Sequence, residues 1–242
     1  MQNKLRLDIL IVQRGITLSR KQAQALIMTG RVRCDGIMVD KAGTRVSHDV
    51  DLDIEALPIY VSRGGDKLAH ALLAFNVQIQ GCFCLDIGAS TGGFTDCLLQ
   101  NQASKVYAVD VGYGQLAQRI REDTRVVVME RVNAHFPFEL PSGVDIATID
   151  VSFISLTKVL PNVVEHLSPG GHILALVKPQ FEAKRSDVGR RGIIRDPKIH
   201  SNTLGKVINW AIGYGLRVRN VTVSPILGGS GNREFLLLLQ QP

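Results

Sequence analysis

The sequence predicts an α/β chain: a mostly parallel sheet flanked by helices and closed by an antiparallel strand pair, with a small α+β module ahead of it. Residues 1–60 hold two short helical stretches and then short strands broken by turns, whereas from residue 82 onward short apolar runs alternate with amphipathic stretches, the pattern of a parallel sheet covered by helices. Near the end, the runs 216–223 and 234–239 are joined by a connection containing Pro225, Gly228, Gly229 and Gly231. That connection leaves no room for the crossover helix that parallel strands need, so the last pair is antiparallel. The change of pattern divides the chain into residues 1–60 and 61–242.

In the first segment, residues 7–14 and 19–29 read as helices. Ser19 suits an N-cap and Gly30 the position past a helix end. Residues 31–34, the turn pair Asp35-Gly36 and residues 37–39 then form a hairpin. Burying Ala23, Leu26 and Ile27 on one helix face leaves Arg20, Lys21 and Gln24 toward solvent. With Arg6, Arg31 and Arg33 these side chains form a candidate phosphate-facing patch. The run Arg6-Leu7-Asp8, then Ser19-Arg20-Lys21-Gln22-Ala23, Leu26-Ile27, Gly30, Val32 and Asp35-Gly36, resembles the S4-type RNA-binding module, with Asp35 where that module usually carries Asn.

In the second segment the strands fall at residues 82–87, 105–109, 126–129, 144–149 and 173–177, and a helix over 203–211 covers the sheet. The stretch Asp86-Ile87-Gly88-Ala89-Ser90-Thr91-Gly92-Gly93-Phe94-Thr95 turns the first strand into a helix. Its glycines stand where backbone turns sharply and approaches a ligand. The spacing is not the G-x-G-x-x-G that brings backbone to a dinucleotide pyrophosphate, which counts against NAD. S-adenosylmethionine has no pyrophosphate, and Asp86 suits its positively charged end. Asp110, ending the next strand, suits hydrogen bonds from both ribose hydroxyls. Asn133, after the third strand, is a candidate adenine-side contact or a turn residue. A parallel sheet closed by an antiparallel hairpin is the arrangement of Rossmann-like methyltransferases.

Methylating a ribose hydroxyl requires alignment with an activated methyl and a proton acceptor, a task for a lysine whose charge is held off by burial or a neighbouring cation. Asp150 and Lys178 follow adjacent strands and meet at the carboxyl edge, with Lys67 ahead of the first strand and Glu234 at the final hairpin. Residues 60–68 (through Arg63-Gly64-Gly65-Asp66-Lys67), Ile149-Asp150-Val151-Ser152-Phe153, Val177-Lys178-Pro179-Gln180-Phe181-Glu182 and Gly231-Asn232-Arg233-Glu234-Phe235 resemble the TlyA family over essentially the whole chain. That family carries the names hemolysin and ribosomal RNA 2′-O-methyltransferase. The resemblance implies an FtsJ-like catalytic domain with Lys67, Asp150, Lys178 and Glu234 as its tetrad. It implies that Lys178 activates the 2′-hydroxyl, Asp150 orients it, Lys67 and Glu234 position the ribose, and the target is a cytidine. The basic run 184–192 is a candidate loop over the RNA backbone, and His135 replaces an arginine often found in the family.

The 242 residues carry 28 Lys and Arg against 22 Asp and Glu, a formal charge of +6, which suits an acidic polymer as partner; the resemblance implies that this polymer is ribosomal RNA in a ribosomal subunit. Cys34, Cys82, Cys84 and Cys97 lack zinc-type spacing and read as buried free thiols, so no metal is expected. The N-terminus has no signal-peptide core and no apolar run reaches spanning length, which together predict a cytoplasmic, membrane-free protein, expected as a monomer. A non-catalytic RNA-binding or ribosome assembly factor is the alternative, opposed by the complete tetrad. A membrane-lytic hemolysin would need an inserting segment that the sequence lacks.

Overall fold

The computed structural model describes residues 4–54 and 58–242. The chain separates into two units, Met1–Pro58 and Ile59–Pro242.

In the first unit, β1 (Lys4–Arg6) runs directly into α1 (Leu7–Gln13), and α2 (Arg20–Met28) follows. Ser19 caps α2, its hydroxyl accepting from the Gln22 N–H at 3.3 Å. β2 (Val32–Cys34) and β3 (Ile37–Val39) form the expected hairpin, with Asp35 and Gly36 both at positive φ as a tight two-residue turn requires. β4 (Arg45–Ser47) pairs with β1 and β5 (Leu52–Ile54) with β2, both antiparallel. The core is Leu7, Leu10, Ile11, Ala23, Leu26, Ile27 and Val32, with the three α2 positions as expected from their spacing.

The second unit begins with α3 (Gly64–Phe75), β6 (Phe83–Ile87), α4 (Gly93–Gln100), β7 (Lys105–Asp110), α5 (Gln118–Arg121) and β8 (Val126–Glu130). It continues with β9 (Val144–Ile149), α6 (Leu160–Val164), β10 (Leu167–Val177), α7 (Pro179–Glu182), α8 (Pro197–Gly213), β11 (Arg217–Val223) and β12 (Phe235–Gln240). The sheet order is β11-β12-β10-β9-β6-β7-β8, with β12 antiparallel to both neighbours and the five strands from β10 to β8 parallel. This is a Rossmann-like α/β fold. Both faces are covered: Leu85, Ile87, Tyr107 and Val109 pack toward Val207 and Ala211 of α8, while Cys84, Val106 and Ala108 pack toward Leu68 of α3 and Leu98 of α4. Alternate residues of each strand thus feed opposite layers, and so the strands read as continuous apolar runs.

Two elements run longer than their sequence signals. β10 starts six residues ahead of the expected 173, because residues 168–171 are absorbed as a register shift against β9 rather than ending the strand. α8 extends the expected 203–211 to both sides. Asp196 caps it by accepting from the Lys198 N–H at 2.8 Å, and Pro197 occupies the first turn. All four cysteines are free, but Cys82 is only half-buried, one residue outside β6, where a fully buried thiol was expected. Among the described residues no helix is long and apolar enough to cross a membrane.

Candidate active site

Strand order reverses beside β6, whose neighbours are β7 and β9, and this is where parallel sheets open a crevice at their carboxyl ends. Two cavities lie there, of about 220 and 530 Å³, and Gly88, Ser90 and Asp150 line both. They form the two lobes of one cleft. Gly88 makes the close approach possible: its φ is +83°, and a Cβ there would stand 2.5 Å from the Asp150 carbonyl oxygen. The turn is tied to both adjacent strand ends, since the Gly88 N–H donates to Val109 O at 2.8 Å and the Asp150 N–H donates to Ile87 O at 2.9 Å.

The larger lobe is walled by Ile87, Val109, Val132, Val151 and Ile154, with Asp110, Asn133 and His135 at its polar positions. The Asp110 carboxylate accepts from the backbone N–H of Ser90 at 2.7 Å and of Gly112 at 2.6 Å, which aims it at the cleft. Asn133 makes a turn, its side-chain oxygen accepting from the His135 N–H at 3.0 Å. Phe153 also lines this lobe; it stands 91 % exposed at a φ of +64°, its ring tilted against Phe181 at 5.0 Å. Thr91, Gly93 and Phe94 line the smaller lobe.

Two expected contacts lie behind the cleft wall instead. Asp86 is fully buried and lines neither lobe; it accepts from the hydroxyls of Thr95 at 2.6 Å and Thr148 at 2.9 Å. Burial pushes its pKa up to about 6, against the lowering effect of those two hydrogen bonds. Gly92 faces Leu116, whose methyl would be 2.9 Å from an added Cβ, and its φ of +94° starts α4. Both residues shape the loop from beneath.

The four charged residues assemble as two ion pairs. Lys67, on α3, lies 2.6 Å from Glu234, and both are buried although 167 positions separate them. Lys178 lies 2.6 Å from Asp150 and donates to Ser152 Oγ at 3.0 Å. Lys67 and Asp150 both line the smaller lobe, so the pairs face one space, with Glu234 and Lys178 reaching it through their partners. Glu182 closes the Lys178 motif from behind, accepting from Ser155 Oγ at 2.6 Å and the Leu156 N–H at 2.7 Å, and burial raises its pKa. Ser62 and Arg63, in the motif ahead of Lys67, also line the smaller lobe. Neither was singled out from the sequence, and nor were Thr95 and Thr148. The signal available was position: Ser62, Arg63 and Thr95 lie inside recognised motifs, while Thr148 matches no pattern until β9 is paired with β6.

In the first unit, Arg6 and Arg20 do not point freely into solvent, and neither does Gln24. All three donate to the buried Asp8 carboxylate, at 3.0, 2.8 and 2.9 Å. Arg6 above all holds that carboxyl well below the usual range. Lys21 and Arg33 are exposed, and Arg31 is half-buried.

Both units of the chain match known protein families. Residues 60–241 match the FtsJ-like methyltransferase family. The chain belongs to that family. Residues 5–52 match the S4 domain. A Bacillus subtilis protein named "Putative rRNA methyltransferase YqxC" is 49 % identical over 99 % of this chain and 86 % of its own length. The 16S/23S rRNA (cytidine-2′-O)-methyltransferase TlyA of Mycobacterium tuberculosis is 44 % identical over 99 % of this chain and 91 % of its own. Among solved structures, a Streptococcus thermophilus hemolysin, so named provisionally, superposes with a TM-score of 0.76 at 43 % identity, covering all of this chain and 90 % of the other. The methyltransferase and hemolysin names thus attach to one family of chains.

Proposed function

We propose that this protein transfers a methyl group from S-adenosylmethionine to the 2′-hydroxyl of a cytidine in ribosomal RNA, with the S4-type unit binding RNA. The observation that carries the reading is the pair of lysine–carboxylate contacts, Lys67–Glu234 and Lys178–Asp150, at one lobe of the cleft. The relatives named as ribosomal RNA methyltransferases supply the substrate class.

The residues present fit the cofactor. The apolar wall of the larger lobe suits an adenine face, Asp110 suits the two ribose hydroxyls, and the Gly88 turn lets the chain pass close to the methionine end. Ser90 and Asn133 complete that wall, Thr91, Gly93 and Phe94 line the smaller lobe beside it, and Asp86 and Gly92 support the loop from beneath. When bound, S-adenosylmethionine supplies a methyl on a positive sulfur, already activated for transfer. The protein's work is therefore alignment and removal of one proton. Lys178 is the group placed to take the 2′-hydroxyl proton, and Asp150 at 2.6 Å orients it and stabilises the resulting ammonium. Lys67, held by Glu234, directs its N–H groups to the ribose. Phe153 and Phe181 offer an aromatic face to an unstacked base beside the lysine. Arg6, Arg20, Lys21, Arg31 and Arg33 meet RNA phosphates in the S4-type unit.

The test is transfer of labelled methyl from S-adenosylmethionine to ribosomal subunits and free ribosomal RNA, with Lys178→Ala as control. Label on a ribose 2′-oxygen, lost in the variant while cofactor binding persists, is the expected result. RNA binding without transfer to any subunit would make the protein a non-catalytic assembly factor instead.

A further inference from the structure

Asn232 is buried to 1 % exposure in the connection between β11 and β12, two residues ahead of Glu234. Its side-chain amide is spent entirely on another part of the chain, the segment that follows α7. The Asn232 Oδ1 accepts from the Ile194 N–H at 2.9 Å, and Nδ2 donates to Gly192 O at 2.8 Å. Its backbone carbonyl accepts from the Gly228 N–H at 2.9 Å, and a side chain at Gly228 would run into the Glu234 carboxylate. One amide therefore fastens the Glu234 turn to residues 190–195, and only a side chain with both a donor and an acceptor does this.

The fastened segment is basic. Arg190, Arg191 and Arg195 are exposed on it, and Arg233 is exposed beside Asn232. From the other side, exposed Arg63 lines the smaller lobe with Lys67, and its guanidinium reaches within 4.0 Å of where a Cβ on Gly229 would stand. Among the described residues none of these five guanidinium groups lies within ion-pair distance of a carboxylate, in contrast to Arg6, Arg20, Arg119, Arg121 and Arg125. Arg190, Arg191 and Arg195 line a separate cavity of about 500 Å³ shared with Asp187 and Asp196, without ion pairs to either, and the Asn232 tie brings their segment to the turn that carries Glu234. Guanidinium groups without ion pairs attract phosphate, and phosphate contacts set the register of a nucleic acid without reading its bases.

We propose that Asn232 is a positioning residue that fixes an arginine rim, formed by Arg63, Arg190, Arg191, Arg195 and Arg233, at the Lys67–Glu234 end of the cleft, where it grips phosphates flanking the target nucleotide. The proposal rests on the RNA-methylation reading above. It assigns affinity for the reacting stretch of RNA to the catalytic unit itself, apart from the S4-type unit.

The test is a double-mutant cycle in the full-length protein between Asn232→Ala and the pair Arg190→Ala with Arg191→Ala, reading KM and kcat for ribosomal RNA, RNA Kd against salt, and Kd for S-adenosylmethionine. The expected result is an RNA KM raised about tenfold by Asn232→Ala, the scale of a buried hydrogen bond left unmade. Cofactor affinity should stay within about twofold, and the effect should largely vanish in the double-arginine background because both act through one rim. Trypsin should also cleave sooner after Arg190 and Arg191 in the Asn232 variant. Additive losses, or cofactor binding lost in step with RNA binding, would overturn the proposal. Should Asn232→Ala unfold, the exposed double-arginine variant decides alone: an unchanged RNA KM and salt slope refutes the rim. If no RNA is methylated by the parent protein, the functional reading fails, while RNA Kd in the same variants still accepts or rejects the rim.

Discussion

Replacing Asp86 by Asn should make the catalytic unit more stable, and by an amount that depends on pH in a defined direction. The Asp86 carboxyl is wholly buried, and its pKa rises from 3.8 to about 6, chiefly because burial disfavours the charge. The proton of an acid with a raised folded pKa is released more easily by the unfolded chain, so folding loses stability as pH climbs from the unfolded value through the folded one. Roughly two units at about 1.4 kcal/mol each give a penalty of about 3 kcal/mol, complete above about pH 7 and small near pH 4. Asn has the same shape, stays neutral and can still pair with the Thr95 and Thr148 hydroxyls. The stability gap between variant and parent should therefore widen by about 2 to 3 kcal/mol from pH 4 to pH 8, or roughly 5–10 °C in Tm for a unit of this size. Urea unfolding of both proteins at several pH values measures the gap, and groups shared by both, such as Glu182, cancel. Cofactor affinity should move the other way, since a buried carboxylate near the Gly88 turn attracts a cationic ligand. A gap independent of pH, or one that narrows as pH rises, would refute the assignment of a strained charge to Asp86.

Three further outcomes follow from the geometry. Lys67→Ala leaves the buried Glu234 carboxylate without its partner and should cost about 3–5 kcal/mol in urea unfolding, whereas Lys67→Met combined with Glu234→Leu should restore most of that stability and none of the activity. Gly92→Val places a branched side chain at a φ of +94° against Leu116, so cofactor affinity by calorimetry should fall at least about tenfold, in contrast to Lys178→Ala. Asp8→Asn should weaken RNA binding although it adds positive charge, because Arg6 and Arg20 lose the acid that orients them; tighter binding would show that charge alone matters. The Asp8 carboxyl is held low, so its contribution to the S4-type unit is present above about pH 4 and is lost as pH falls toward the depressed value, which acid unfolding of Asp8→Asn against the parent measures.

Most strands were legible because a parallel sheet buried on both faces needs uninterrupted apolar runs, and residues 144–149 form β9 without a change of boundary. The early half of β10 was hidden because Pro169, Gly170 and Gly171 signal a turn locally, and only pairing with β9 on either side of them, at Leu167 and again from His172, carries the strand through. The start of α8 was visible in principle as Asp196-Pro197, a cap followed by a first-turn proline, but its apolar periodicity begins later. The catalytic candidates were legible as residue types inside long motifs. Asn232 lay in one of those motifs and still gave no hint of its role, since Gly192 and Ile194 are 40 and 38 positions away.

By itself the sequence determined which side chains exist at strand ends, where the glycines permit sharp turns, and that two segments follow different patterns. These are local properties, written in neighbouring residues. Tertiary structure alone decided that Lys67 meets Glu234, that Arg6 and Arg20 share Asp8, and that Asp86 is sealed beneath the loop by Thr148 instead of facing the cleft. Burial and separation depend on which strands become neighbours. That choice is made by the packing of the whole sheet, not by any stretch of chain within it.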